Sequence, residues 1–128
     1  MRLFVEISVG ELIDKVTILE IKRDNIRDES KLANITREYS ALIDSLDRDV
    51  ATSEALEGLR RELKAVNAEL WRIEDDIRAQ ERAGTFGAEF IALARSVYQT
   101  NDRRADLKRQ INVITESELV EEKSYETY

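Results

Sequence analysis

No cysteine, histidine or proline occurs among the 128 residues, and glycine appears only four times. The missing cysteine and histidine exclude disulfide bonds, zinc sites built on those ligands, thiol nucleophiles and any catalytic scheme that needs an imidazole base. With proline gone and glycine scarce, little in the chain interrupts a helix. Long apolar runs are missing too. The opening residues Met1 to Ser8 hold too few hydrophobic residues in a row for a signal peptide, and no later stretch approaches a membrane span. The absence of cysteine suits a reducing compartment, so the expectation is a soluble, cytoplasmic protein.

What the chain does contain is charge. Charged residues make up 37% of it with the two signs intermixed, which is the composition of a helical bundle with solvated faces. The net charge of −7 disfavours nonspecific binding to nucleic acid or to an anionic membrane, because counterion release needs a basic surface. The length suits one domain spanning residues 1–128.

The longest regular pattern runs from Ser53 to Glu81. Leu56, Leu59, Leu63, Val66, Leu70, Ile73 and Ile77 recur at steps of three and four, an a/d seam of three heptads, and Ser53 with Glu54 and Glu57 supplies a cap and acidic charge at its start. So long a helix must lie against others, from its own chain or a second copy. Earlier in the chain, Ser8 and Glu11 read as a capping box with Ile7 as its staple. The apolar set Leu12, Ile13, Val16, Ile18, Leu19, Ile21 and Ile26 that follows is too wide for one stripe, which implies neighbours on more than one side. Asp28 and Ser30 are candidate caps for a second helix through Leu32, Ile35, Tyr39, Leu42, Ile43 and Leu46. One continuous helix is the alternative, since the seam stays in phase across Asn25 and Asp28.

Residues Ala83 to Gly87 form the one glycine break, short enough to send a last helix, Ala88 to Ile114, back antiparallel. The fold expected is therefore an all-α antiparallel bundle with long heptad-containing helices. Two segments alternate instead, Arg2 to Ile7 and Leu119 to Tyr125. These are the candidates for a short N-terminal strand pairing with the C-terminal tail.

Chemistry points to the last helix. Its seam reads Phe90, Ala94, Val97, then Asn101, Arg104 and Lys108, then Ile111, so polar groups fill the middle and must be paired or hydrated. On the preceding helix Asn67, Trp71, Glu74 and Arg78, with Asp75 adjacent, form a stripe that an antiparallel partner brings opposite them. The simpler reading is a salt-bridge network that fixes helix register. The other is a pocket for a phosphate or carboxylate, with Trp71 as a wall and Arg95, Tyr98 and Arg104 as anion and stacking candidates. Metal-dependent nucleotide hydrolysis needs paired carboxylate motifs. Glu54 with Glu57 and Glu11 with Asp14 provide the spacing, but in reversed order and among 27 acidic residues, so the expectation is no metal site.

Four segments, Ile7 to Lys22, Val66 to Asp75, Leu93 to Tyr98 with Asn101 and Asp102, and Leu119 to Tyr125, together resemble a small uncharacterised bacterial family, a domain of unknown function. The resemblance implies a single domain. It also implies that Asn67, Trp71, Glu74, Asp75, Arg95, Tyr98, Asn101, Asp102 and Arg104 belong to a family pattern, and it names no activity or cofactor. The expected function is a non-catalytic binding or assembly module that forms a homo-oligomer and takes a protein partner. The alternative is a small anionic-ligand or nucleotide-binding protein, or an enzyme, with its site between the last two helices.

Overall fold

The computed structural model describes Met1 to Tyr128 and contains four helices and no strand: α1 Val9–Asn25, α2 Glu29–Asp49, α3 Glu54–Ala83 and α4 Ala88–Ile114. Three of the starts are set by side chains seen in the sequence. The Ser8 hydroxyl accepts from the Glu11 amide at 3.1 Å, the Asp28 carboxylate from the Lys31 amide at 2.9 Å, and the Ser53 hydroxyl from the Leu56 amide at 3.1 Å. Asp28 settles the choice between one helix and two. Its carboxylate offers the backbone a local partner, Ile26 before it is extended (φ −91°, ψ 135°), and the chain breaks although the seam stays in phase. At the other break Gly84 takes the left-handed conformation (φ 69°), and the Thr85 amide bonds back to the Gln80 carbonyl at 3.0 Å, closing α3.

α1, not the heptad helix, is the element that the others surround. It packs against all three, whereas α2 packs among the helices only on α1. Leu12, Ile13, Asp14, Val16, Thr17, Leu19 and Ile21 are all buried, which accounts for the wide apolar set. The core joins Ile13 and Val16 to Leu46, Leu56, Leu63, Val66, Leu107 and Ile111. The α3 seam is only partly used, with Leu56, Leu63, Val66 and Ile73 buried and Leu59, Leu70 and Ile77 half-buried. Length explains this. α1 has 17 residues and α3 has 30, so at ~1.5 Å per residue the α3–α4 hairpin outruns α1 by roughly 20 Å.

Polar pairs set the registers. Gly10, Glu11 and Asp14 on α1 meet Asn112, Lys108 and Arg104 on α4, a descending order that makes the two helices antiparallel. Glu20 of α1 lies 3.8 Å from both Arg60 and Lys64 of α3, and the Arg23 guanidinium covers the Tyr39 ring of α2 at 4.7 Å.

The expected strand pairing is not found. Residues 1–7 form no regular element and are exposed, and the tail beyond Ile114 turns back along α4 with no ladder to either segment. A lone strand has no partner for its amides and is not stable, so each segment is held by whatever its side chains can reach. For the tail that is α4. The capping box is also half formed, because the Glu11 carboxylate is engaged by Lys108.

Candidate functional site

The site is built around Arg104. Its seam position on α4 points it at α1, where Asp14 is 1% exposed. Arg104 donates from Nε to Asp14 Oδ1 at 2.9 Å and from Nη2 to Oδ2 at 2.5 Å, a two-pronged pair between planar groups. Asn67 of α3 completes the cluster. Its amide nitrogen donates to Asp14 Oδ1 at 2.9 Å and to the Thr17 hydroxyl at 3.0 Å, while that hydroxyl donates to the Asp14 carbonyl at 2.8 Å. One turn along, the Lys108 side chain is 8% exposed and lies between Glu11 at 2.8 Å and Glu121 of the tail at 2.6 Å. No buried side-chain polar atom is left without a partner.

The electrostatics follow from these contacts. Burial is the largest influence on the Asp14 carboxyl and pushes it up. Hydrogen bonds from Arg104 and Asn67, with the charges of Arg104 and Lys108, together outweigh it and hold the group below the usual carboxylate range. Burial likewise works against the Lys108 charge, but Glu11 and Glu121 overcome it and the ammonium is held above its ordinary value. Arg104 and Lys108 thus face Asp14, Glu11 and Glu121, and the cluster is not a bare positive site.

Two grooves flank Arg104. The first, of about 370 Å³, lies between α1 and α3 with Ile18, Ile21, Leu70 and Trp71 as apolar walls. Asn67, Glu74, Asp75 and Arg104 line it as well. The second, of about 1020 Å³, lies between α4 and the tail, with Tyr98, Asn101, Asp102, Arg104 and Lys108 on the helix side. The single site expected between the last two helices is therefore two grooves that share one arginine. Arg95 lines neither groove, is exposed and forms no ion pair.

The expected ion-pair partners also change. Glu74 bonds Arg78 on its own helix at 3.2 Å and does not pair with Arg104. The carboxylates that neutralise Arg104 and Lys108 are Asp14 and Glu11, which the sequence suggested in other roles, Glu11 as the capping-box partner of Ser8 and the two together as half of a metal motif. A signal for Asp14 was present. It sits among Ile13, Val16 and Thr17 on a helix whose apolar set encircles it, where a carboxylate has to be buried and paired. No three carboxylates converge as a metal-binding group.

No curated protein and no solved structure matches the chain. One family model does, and its range takes in all four helices, both grooves and the tail. The chain belongs to that family, described as a family of unknown function (DUF6165), which matches residues 3–128.

Proposed function

We propose that the chain is a non-catalytic helical module that self-associates, with a second copy as its first partner. The observation that carries this is the concentration of exposed apolar side chains at one end of the bundle. Leu3, Phe4, Val5 and Ile7 of the arm, Val113 and Ile114 at the end of α4, and Leu119 and Val120 of the tail are all exposed there. The Val9 amide donates to the Ser117 hydroxyl at 3.1 Å, so the arm joins the bundle next to the start of the tail. Grouped apolar surface of this kind marks an interaction site. The internal charges support the same reading, since the groups that would recognise a substrate are engaged by one another. The setting we propose is the bacterial cytoplasm, consistent with a chain that has no cysteine and no helix long and apolar enough to cross a membrane.

Light scattering after size exclusion at micromolar concentration is expected to return about twice the chain mass of 14.8 kDa. The double variant Leu3→Asp, Val5→Asp is expected to return the single mass with unchanged helical circular dichroism. A clean monomer for the unaltered protein overturns the reading.

A second reading has its own support in the first groove. A guanidinium carries five N–H donors, and Asp14 and Asn101 account for three of those on Arg104. The remaining two have no partner within the chain, and the Arg104 side chain, 29% exposed, lines this groove together with Trp71, a space within the ~300–1,000 Å³ range of small-molecule sites. A small ligand with a carboxylate or phosphate fits this arrangement. Arg104→Ala would not test it, because that change also strips Asp14 of its partner. Trp71→Leu keeps the pair intact. On this reading a ligand at a hundred times its dissociation constant raises stability by ~2.7 kcal/mol, and Trp71→Leu removes the melting shift. A panel of nucleotides, sugar phosphates and dicarboxylates that gives no shift counts against it.

A further inference from the structure

We infer that the C-terminal segment Ser117 to Tyr128 is exchanged between two copies of the chain, each tail lying in the α4 groove of the other. This rests on the self-association proposed above and identifies the element that mediates it. Beyond Ser117 the tail makes no backbone-to-backbone hydrogen bond with the rest of the chain. It is held through side chains. Glu121 reaches Lys108 at 2.6 Å, Glu122 reaches Arg109 at 3.1 Å, Lys123 pairs with Asp102, and the Tyr128 hydroxyl donates to Asp102 at 2.6 Å while its ring meets Tyr98 edge-on at 5.2 Å. None of these contacts depends on the tail belonging to the same chain, and charge complementarity directs a second copy's tail to the same place.

The hinge favours exchange. To fold back on its own helix the chain reverses within three residues, Thr115 to Ser117, and Glu116 takes φ +53°, the only positive φ at a residue other than glycine. An L side chain is strained there, and extending the hinge releases that strain while giving up the two bonds that close it, from the Glu116 amide to the Val113 carbonyl and from the Ser117 amide to the Asn112 carbonyl. Closure within one chain has the advantage of high effective concentration, so exchange must gain something in return. The surface that can supply it is at the hinge itself. Val113 is 69% exposed, and Ile114, Leu119 and Val120 are exposed beside it. Two crossing tails would bring these side chains of both copies together, which a single closed chain cannot do.

The test uses the intact protein in two isotopic forms. Chains with natural nitrogen and with ¹⁵N are mixed equally, unfolded, refolded together and treated with a carbodiimide, which joins carboxylates to amines already in contact. Mass spectrometry then reads the linked peptide pairs Lys108 with Glu121 and Asp102 with Lys123. Exchange predicts that about half of these pairs carry one light and one heavy peptide, as random pairing of two copies requires. Pairs that are all light or all heavy overturn the exchange. If light scattering nevertheless reports a dimer, self-association stands and only the tail's role in it falls. A monomer overturns both. Glu116→Gly, which relieves the strain without opening the hinge, is expected to lower the mixed fraction several-fold. An unchanged fraction overturns the hinge as the cause.

Discussion

Replacing Asp14 with alanine is expected to lower the unfolding free energy by about 3 kcal/mol, since removing one partner of a buried ion pair leaves the other uncompensated. The figure is set at the lower end of that class because the Arg104 side chain is 29% exposed and recovers some hydration. Denaturant unfolding followed by circular dichroism measures it. A loss under 1 kcal/mol would mean that the cluster contributes little to the fold.

The converse variant, Arg104→Met, separates this pair by its pH dependence. In the unaltered protein Asp14 is held below its unfolded value, so its contribution is present above about pH 4 and is lost as pH falls through the folded value. Without Arg104 the burial of Asp14 loses its main opponent and the carboxyl is expected to rise above its unfolded value. Stability of the variant then falls as pH rises through that window, and the gap from the unaltered protein is largest near pH 7 and narrows towards pH 4. A gap that stays constant over that range would show that Asp14 does not depend on Arg104 for its charge.

Gly10→Ala is expected to destabilise the fold by about 2–3 kcal/mol, the cost of an overpacked contact plus a strained buried hydrogen bond, less a small gain in helix propensity. A Cβ at Gly10 would lie 2.5 Å from the Lys108 carbonyl oxygen and 2.9 Å from Asn112 Oδ1, and the first of these is backbone that cannot swing aside. The same Asn112 oxygen accepts from the Gly10 amide at 2.7 Å, so pushing α1 away from α4 also weakens that bond. Gly58 is the contrast. A Cβ there meets only the Arg61 guanidinium at 3.9 Å, and Gly58→Ala is expected to gain about 0.5–1 kcal/mol. Opposite signs for the same substitution in two helices would establish that α1 and α4 touch through Gly10. A neutral or stabilising Gly10→Ala would contradict that contact.

The local features of this fold were legible residue by residue. Ser8, Asp28 and Ser53 cap the helices that they precede, and Gly84 closes α3. Each depends on one side chain or one backbone conformation within five residues, so sequence spacing contains the whole interaction. The surplus of apolar positions on α1 was legible in the same way and correctly implied contacts on several sides.

Periodicity became misleading where it had to choose partners. The heptads of α3 and the polar seam of α4 are both real, yet matching them to each other put Glu74 opposite Arg104 when Asp14, ninety positions earlier, is the residue that binds it. A helical pattern says which side chains share a face. It does not say which neighbour that face meets, and one residue of rotation, about 100°, sends a side chain to a different helix. The alternation in the two end segments failed for a related reason, because it describes a strand only if another strand lies beside it. By itself the sequence determined the all-helical class, the capped starts, the glycine turn and the polar middle of α4, all of them local or compositional. Only the tertiary structure decided that α1 is the centre, that Arg104 neutralises Asp14 between two grooves, and that the tail lies along α4. Those depend on interactions between residues far apart in sequence, where burial and geometry select one partner from several that the pattern allows.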